Sequence, residues 1–233
     1  MAYTLKQLRD KIIIDAGIEG SADFPIARLN EMINIGQRFV QTELNGLGLK
    51  KWESSASLTL ADGTFGGTNV STSALPTGLA EGPKSIKYIN TLSAASGGTN
   101  GVAMEVDDTT FIRRAGNTYR TPTNAEPIFI RVGSAINIAP RMTASGSPTA
   151  TIYYHKIVTD LSLDNDATEI PNEFIDYVIK KVVAEIEYLT KKIASVEMAT
   201  AGIKTDIRNA YEKYISKLNS TGIVASQDNA KLQ

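Results

Sequence analysis

The chain has 233 residues, a formal net charge of −1 and a sequence isoelectric point near 5.9, so it lacks the overall positive field of a dedicated nucleic-acid-binding protein. Cysteine is absent, which excludes disulfide frameworks, thiolate zinc sites and cysteine nucleophiles. The sequence shows neither a signal peptide nor an apolar run that could cross a bilayer, so we expect a soluble protein made in the cytosol.

The first helix is predicted after Thr4. Thr4 and Gln7 have the spacing of a capping box, in which two side chains satisfy the free backbone N–H groups at a helix start. Apolar residues then recur at helical intervals, and Gly17 is expected to end the helix. The apolar positions are Leu5, Leu8 and Ile12.

A second helix is predicted to begin with Pro25 in its first turn, capped by Ser21 or Asp23. Gly36 falls on its apolar face, where glycine costs about 1 kcal/mol relative to alanine. We therefore expect a neighbouring element to approach the backbone closely at Gly36. The predicted apolar face consists of Ile26, Leu29, Ile33, Gly36, Val40 and Leu44.

The alternation of polar and apolar residues and the turn residues within 55–160 predict short strands and loops. Polar and apolar residues alternate from Ala56 to Leu60, as in a half-buried strand. The best hairpin joins residues 128–132 to 135–138 through Gly133-Ser134, because glycine in the first turn position suits a two-residue type II′ turn. A strong strand follows at 149–157. This spacing is typical of a small antiparallel sandwich or barrel.

Two more helices are predicted at the C-terminal end. The first begins at Ile170-Pro171 and runs through Ile193. The second carries a narrow heptad-like apolar stripe that could pack on a partner helix within the chain or in a neighbouring subunit. Residues 220–233 are small and polar, so we expect a tail that is disordered when free. The stripe consists of Val196, Ala199, Ile203, Ile207, Ala210, Tyr214 and Leu218.

Candidate chemistry is sparse. His155 is the only histidine, and no neighbouring motif supplies the carboxylate and nucleophile that a catalytic histidine needs, so we favour a structural role. A hydrolase would have to use Asp107, Asp108 and His155. We predict no catalytic residue, no cofactor-binding residue and no metal ligand.

The acidic segment 160–166 superficially resembles a calcium loop, because oxygen-bearing side chains alternate along it. Asn165 stands where such a loop needs glycine, and Pro171 stands where it needs a bidentate glutamate. We therefore interpret it as a solvated acidic loop before a helix start, where negative charge is favourable.

Several arginines interleave with aromatic residues in the middle of the chain. Scattered surface charge is the favoured interpretation, given the net charge. If this part lines a channel, the residues expected to touch DNA phosphates are Arg113, Arg114, Arg120 and Arg131.

The order of these elements resembles the head-to-tail adaptor proteins of tailed bacteriophages, including the tail tubular protein A type. The resemblance spans nearly the whole chain. The segments that carry it are Leu5-x-x-Leu8, Phe24-Pro25, Leu29, Ile33-Asn34-x-Gly36, Trp52, Leu75-Pro76, Ile136-Asn137-Ile138-Ala139-Pro140, Thr151-Ile152-Tyr153-Tyr154 and Ile170-Pro171-x-x-Phe174.

This resemblance implies a non-enzymatic ring subunit, commonly in twelve copies, between the portal protein and a tail or nozzle protein. It implies a location in the virion neck after assembly in the host cytoplasm, transient contact with DNA, and no membrane. The expected portal-contact residues are Ser220, Ile223, Val224 and Leu232. The expected subunit interface consists of Val196, Ile203, Ile207, Ala210, Tyr214 and Leu218.

We therefore expect an α+β protein, with a helical bundle built from both chain ends and a central antiparallel, sandwich-like β-domain. The expected parts are 1–54 (helical), 55–160 (β-rich), 161–219 (helical pair) and 220–233 (tail). An alternative function is a module whose β-domain binds a carbohydrate or a protein on a virion or cell-surface assembly.

Overall fold

The computed structural model describes residues 2–80, 85–92, 101–117, 121–123, 125–141, 149–193 and 195–220. Within them the chain forms five α-helices and eight β-strands, which confirms the prediction of a mixed helical and β protein. The fold divides into two compact units. The helical unit combines Met1–Lys50 with Val158–Gln233, and the β unit is Lys51–Ile157.

The predicted capping box begins the helical unit. The Gln7 backbone N–H donates to Thr4 Oγ1 over 3.3 Å, and the Thr4 N–H donates to Gln7 Oε1 over 2.9 Å. Gly17 ends the helix in the left-handed conformation, with a φ of 63°. The helices of this unit are α1 (Leu5–Ala16), α2 (Ile26–Gly46), α4 (Ile175–Leu189) and α5 (Val196–Ser220); α3 (Asp108–Ala115) belongs to the β unit.

Gly36 provides the close approach that the sequence predicts. A Cβ atom built at this position would lie 3.1 Å from Val182 Cγ2 and 3.3 Å from the Val178 carbonyl oxygen of α4. The helix start differs from the prediction, because Pro25 itself is the N-cap and no side chain caps the helix. Helix α2 therefore depends on packing rather than on a cap for its first turn.

Helix α4 is shorter than predicted. A 3₁₀ turn at Asn172–Phe174 precedes it, and it ends at Leu189 rather than continuing to Ile193. The Lys192 N–H donates to the Glu187 carbonyl and the Lys191 N–H to the Tyr188 carbonyl. This pattern is a Schellman motif, which closes a helix.

The connecting segment, residues 158–170, is held to α2 by amide side chains. Asn34 Oδ1 accepts from the Leu161 N–H over 2.9 Å, and Asn34 Nδ2 donates to the Leu161 carbonyl over 3.1 Å. Gln41 Oε1 accepts from the Val158 N–H, and Gln37 Oε1 accepts from the Thr168 hydroxyl. Gln37 and Gln41 are buried, so these bonds satisfy polar groups that water does not reach.

Replacing Asn34 with alanine is expected to lower the free energy of unfolding by about 2 kcal/mol, because it leaves the N–H and C=O of Leu161 without these partners. Urea denaturation followed by circular dichroism measures the change. Asn30→Ala is the matched control on the same helix, because the side chain of Asn30 accepts a long bond of 3.3 Å from Arg9. Equal losses in the two variants would contradict the role given to Asn34.

The β unit contains one eight-stranded sheet with the order β1-β8-β4-β5-β6-β7-β3-β2. It is a single curled sheet, which agrees with the predicted β-rich domain. Strands β5 and β6 are parallel, whereas the other pairs are antiparallel. The strands are β1 (Glu53–Thr59), β2 (Ala61–Phe65), β3 (Thr68–Ala74), β4 (Ile86–Leu92), β5 (Gly101–Glu105), β6 (Ile128–Val132), β7 (Ala135–Ala139) and β8 (Thr149–His155).

The sheet curls because β1 passes directly into β2. Only Leu60 separates the two strands, yet they lie at opposite ends of the strand order. Two apolar clusters form on the β unit. One gathers Phe129, Ile136 and Ile152, and the other places Phe111 of α3 against Ile128 and Ile130. Neighbouring residues of a strand point to opposite faces of the sheet, so Phe129 points away from the face that carries Ile128 and Ile130. Helix α3 covers this second face.

The predicted hairpin is confirmed. Val132 pairs with Ala135, so Gly133-Ser134 forms a two-residue loop, and Gly133 has a φ of 58°. No helix among the described residues has the length and apolar character that crossing a bilayer requires.

Candidate assembly surfaces

His155 lies at the end of β8 in a small cluster of charged residues. It pairs across the strands with Glu53 of β1, and Glu53 forms an ion pair with Lys87 of β4. The imidazole is buried, and its Nδ1 atom has no hydrogen-bond partner among the described residues. Burial lowers the pKa of His155, Glu53 opposes this shift, and Lys87 adds to it.

This lowered pKa predicts an acid-sensitive β unit. The unfolded chain binds a proton near the ordinary histidine pKa of 6.5, whereas folded His155 resists protonation. Its contribution to stability is therefore complete above pH 6.5 and is lost as the pH falls below that value. We expect urea denaturation to show less pH dependence between about pH 6.5 and about pH 5 in His155→Gln than in the wild type.

The carboxylates provide the control for that experiment. The pKa values of Asp62, Asp107 and Asp166 lie below their ordinary value of 3.8. The stability that these carboxylates contribute is therefore lost only as the pH falls below 3.8. Both proteins should lose stability alike in that acid range. An unchanged slope between about pH 6.5 and about pH 5 in His155→Gln would show that His155 does not report on folding.

Asp107 is used as a helix cap. Its Oδ1 accepts from the Thr110 N–H over 2.9 Å and its Oδ2 from the Thr110 hydroxyl over 2.6 Å. The Thr110 hydroxyl is the main cause of the lowered pKa of Asp107. Asp108 lies in the first turn of α3, where a negative charge is favourable. The contacts of Asp107 and the position of Asp108 give both carboxylates a structural role at the start of α3.

The acidic segment 160–166 directs its carboxylates toward different partners. Asp160 pairs with Arg38 over 2.5 Å and Asp164 with the buried Arg9 over 2.9 Å. Asp166 accepts from the backbone N–H groups of residues 162 and 163, both over 2.7 Å, and these bonds lower the pKa of Asp166. In the part of the chain that the structure describes, no cluster of three or more His, Asp or Glu residues is arranged to hold a metal.

The apolar stripe of α5 is divided between the interior and the surface. Ile203 and Ile207 are buried, and α5 packs on both α2 and α4. The ring of Tyr214 meets the Phe174 ring edge-on, with centroids 5.5 Å apart. Part of the predicted interface is therefore already packed within the chain. The stripe residues that remain partly exposed are Val196, Ala199, Ala210, Tyr214 and Leu218.

The predicted DNA-contact arginines do not form one surface. Arg113 and Arg114 end α3 and line a groove of about 740 Å³ with Asn117, Thr121 and Glu126. Arg131 instead donates from Nη1 to Ser85 Oγ over 3.2 Å, on the sheet face opposite Ile130 and α3. Arg120 lies outside the described residues.

The predicted portal contacts fall at the end of the described chain. Ser220 is the last residue of α5. The other three residues, Ile223, Val224 and Leu232, lie outside the described residues.

Sequence analysis missed the amide contacts of α2 and a set of exposed apolar side chains. Asn34, Gln37 and Gln41 follow a helical spacing beside the apolar face, which was the available signal for a polar attachment. Ile14 and Met198 are 66% and 79% exposed. Each of these two residues is an apolar residue outside the core-facing stripe of its helix, and this pattern could have identified them in the sequence.

The caps, ion pairs and amide contacts described above engage the conspicuous polar side chains. The model of the SU10 adaptor protein family matches residues 3–229, which is nearly the whole chain. The chain therefore belongs to the SU10 adaptor protein family. A search of the curated proteins finds no match for it.

Proposed function

We propose that this chain is a non-enzymatic structural subunit of a phage virion, which forms a ring that joins the portal to the tail and leaves a channel for DNA. Membership of the SU10 adaptor protein family is the observation that carries this proposal. The polar contacts support it, because the candidate catalytic carboxylate Asp107 acts as a helix cap.

The proposed ring has twelve copies, as the resemblance to the tail tubular protein A type implies. A closed ring requires two different surfaces on each subunit that fit each other. The helical segments 1–54 and 161–219 are proposed to form the ring wall, and the β-rich segment 55–160 to pack between subunits or face a tail or nozzle protein. The partly exposed stripe residues Val196, Ala210 and Leu218 of α5 are proposed to take part in such contacts.

The tail of the chain is the proposed portal contact. The polar segment 220–233 contains the apolar residues Ile223, Val224 and Leu232, and a segment of this composition can fold on docking. Helix α5 is described to Ser220, so removal of 221–233 keeps the described part of the helical unit intact.

Arg113 and Arg114 are the proposed DNA contacts. They share one groove, and neither forms an ion pair with another described residue. Glu126 on the same groove reduces the local positive charge, so transient contact fits better than tight binding. Arg131 is left out of this site, because it donates to Ser85 on the other sheet face.

Assembly with the portal protein tests the proposed function. We expect native mass spectrometry and negative-stain images to show a ring of this chain on the portal. Deletion of 221–233 should abolish the joint complex, whereas a chain with Gln233 alone removed should behave as the wild type. Failure of the full chain to form any multi-copy complex with the portal would overturn the proposal.

A further inference from the structure

Two turns lie at the same end of the helical unit. Lys11 of α1 pairs with Asp176 near the start of α4, and the Ala16 carbonyl at the end of α1 accepts from Lys192 Nζ over 3.0 Å. Helices α1 and α4 therefore run in the same direction. The turn that joins α1 to α2, residues 17–25, thus lies beside residues 190–193, which follow α4.

The start of α5 lies at this end as well. Tyr214 meets Phe174, and Asp206 pairs with Lys180, so α5 runs antiparallel to α4. Met198 is eight residues before Asp206 and Tyr188 is eight residues after Lys180, which places both about 12 Å along their helices from that ion pair.

The start of α2 completes this end of the unit. Ile26 lies ten residues before Gly36, which contacts Val178 and Val182 of α4. At 1.5 Å per residue, Ile26 lies about 15 Å along α2 from that contact, at the level where α4 ends.

Five large apolar side chains are exposed at this end. They lie in the last turns of α1 and α4 and in the first turns of α2 and α5, and exposed apolar surface of this kind is typical of interaction sites. The exposed fractions are 66% for Ile14, 59% for Ile26, 49% for Tyr188, 49% for Leu189 and 79% for Met198.

The two turns carry opposite charge. Residues 17–25 contain Glu19 and Asp23 and no basic residue, whereas residues 190–193 contain Lys191 and Lys192 and no acidic residue. Neither Glu19 nor Lys191 forms an ion pair with another described residue. The end of the helical unit therefore presents exposed apolar residues together with an acidic turn and a basic turn.

Lys191 adopts a backbone conformation that favours glycine. Its φ is 59°, and it is the one non-glycine residue with a positive φ among the described residues. At the equivalent end of α1 the chain has Gly17, with a φ of 63°. A side chain retained in a strained conformation suggests a use for that side chain.

We propose that this end of the helical unit binds a second copy of the chain. The acidic turn of one copy, with Ile14 and Ile26, contacts the basic turn of another, with Leu189 and Met198. The charge complementarity of the two turns favours a second copy over an unrelated partner. The inference rests on the proposed ring, in which each copy uses both turns once, and it assigns the contact to residues that lie outside the α5 stripe.

Charge exchange in the full chain tests this contact. We expect the wild type to self-associate in sedimentation experiments, with a dependence on concentration and on salt. Lys191→Glu or Glu19→Lys alone should weaken association roughly tenfold or more, because like charges then meet. A mixture of the two variants should associate as the wild type does, because opposite charges meet again. Lys213→Glu, a charge change elsewhere on exposed α5, is the matched control and should have no effect.

Lys191→Gly separates association from folding. We expect a higher denaturation midpoint, because glycine adopts a positive φ without strain, together with weaker association. A role of Lys191 confined to the fold would leave association unchanged.

Failure of this inference differs from failure of the proposed function. A wild type that stays monomeric at every concentration, or a mixture of charge variants that does not associate, overturns the inference. If rings still form on the portal and ignore these substitutions, the inference is wrong while the proposed function stands. If the variants respond as expected but no complex with the portal forms, the proposed function is wrong and the contact between copies stands.

Discussion

Gly36→Leu is expected to lower the free energy of unfolding of the helical unit by about 3 kcal/mol, the upper part of the range for overpacked cores. The first atom of any side chain at this position would lie 3.1 Å from Val182 Cγ2 and 3.3 Å from the backbone oxygen of Val178. The valine methyl group could move, but the backbone oxygen belongs to a hydrogen-bonded helix. Urea denaturation followed by far-ultraviolet circular dichroism measures the loss.

Gly46→Leu is the matched control, because Gly46 is on the same helix and a Cβ atom there meets nothing within 4 Å. Leucine is a better helix former than glycine by roughly 0.8 kcal/mol, so this variant should be as stable as the wild type or slightly more stable. Equal destabilisation by the two substitutions would show that the contact between α2 and α4 is not tight at Gly36.

Local sequence signals predicted the helix ends that depend on adjacent residues. The capping box of Thr4 and Gln7 is confirmed, because both bonds form within one turn of the chain. Gly17 was predictable for the same reason, since its left-handed conformation needs no distant partner. Gly36 was predictable because the cost of glycine inside a helix requires compensation by packing.

Other helix ends depend on contacts that the sequence does not display. The sequence suggested a side-chain cap for α2, whereas Pro25 ends up as an N-cap without one. Helix α4 ends in a Schellman motif with Lys191 in the place where glycine is usual. Because lysine is a good helix former, the pattern of apolar residues extended the predicted helix to Ile193.

The sheet shows the same division between local and distant contacts. The Gly133-Ser134 hairpin was predictable, because turn chemistry and strand alternation act within the short segment from Ile128 to Ala139. The parallel pair of β5 and β6 was not, because α3 lies between these strands and pairing across it depends on the whole unit. The pairing of β1 with β8 joins residues about a hundred positions apart, so the strand order of the curled sheet could not be predicted from local sequence patterns.

The sequence predicted which types of residue form the candidate surfaces, but not which of these residues lie together in the fold. Arg113 and Arg114 are neighbours in sequence and share one groove. Arg131 was grouped with them by composition, but strand alternation places it on the other face. The sequence could not show that the acidic turn and the basic turn lie at the same end of the helical unit, because this depends on the directions of α1, α4 and α5.

Ile207→Ala is expected to lower the free energy of unfolding by about 3 kcal/mol, because it removes a fully buried side chain and leaves a cavity. The exposed fraction of Ile207 is 0%, and helix α5 packs on α2 and α4. A loss that arises within one chain does not depend on protein concentration, whereas a loss at an interface between copies does. Urea denaturation at two protein concentrations distinguishes these cases. Lys213→Ala is the control on the same helix; Lys213 is exposed and lies outside the proposed contact between copies, so the change should stay within about 0.5 kcal/mol. If the loss of stability in Ile207→Ala depends on protein concentration, Ile207 lies at the interface between subunits, as the sequence analysis expected.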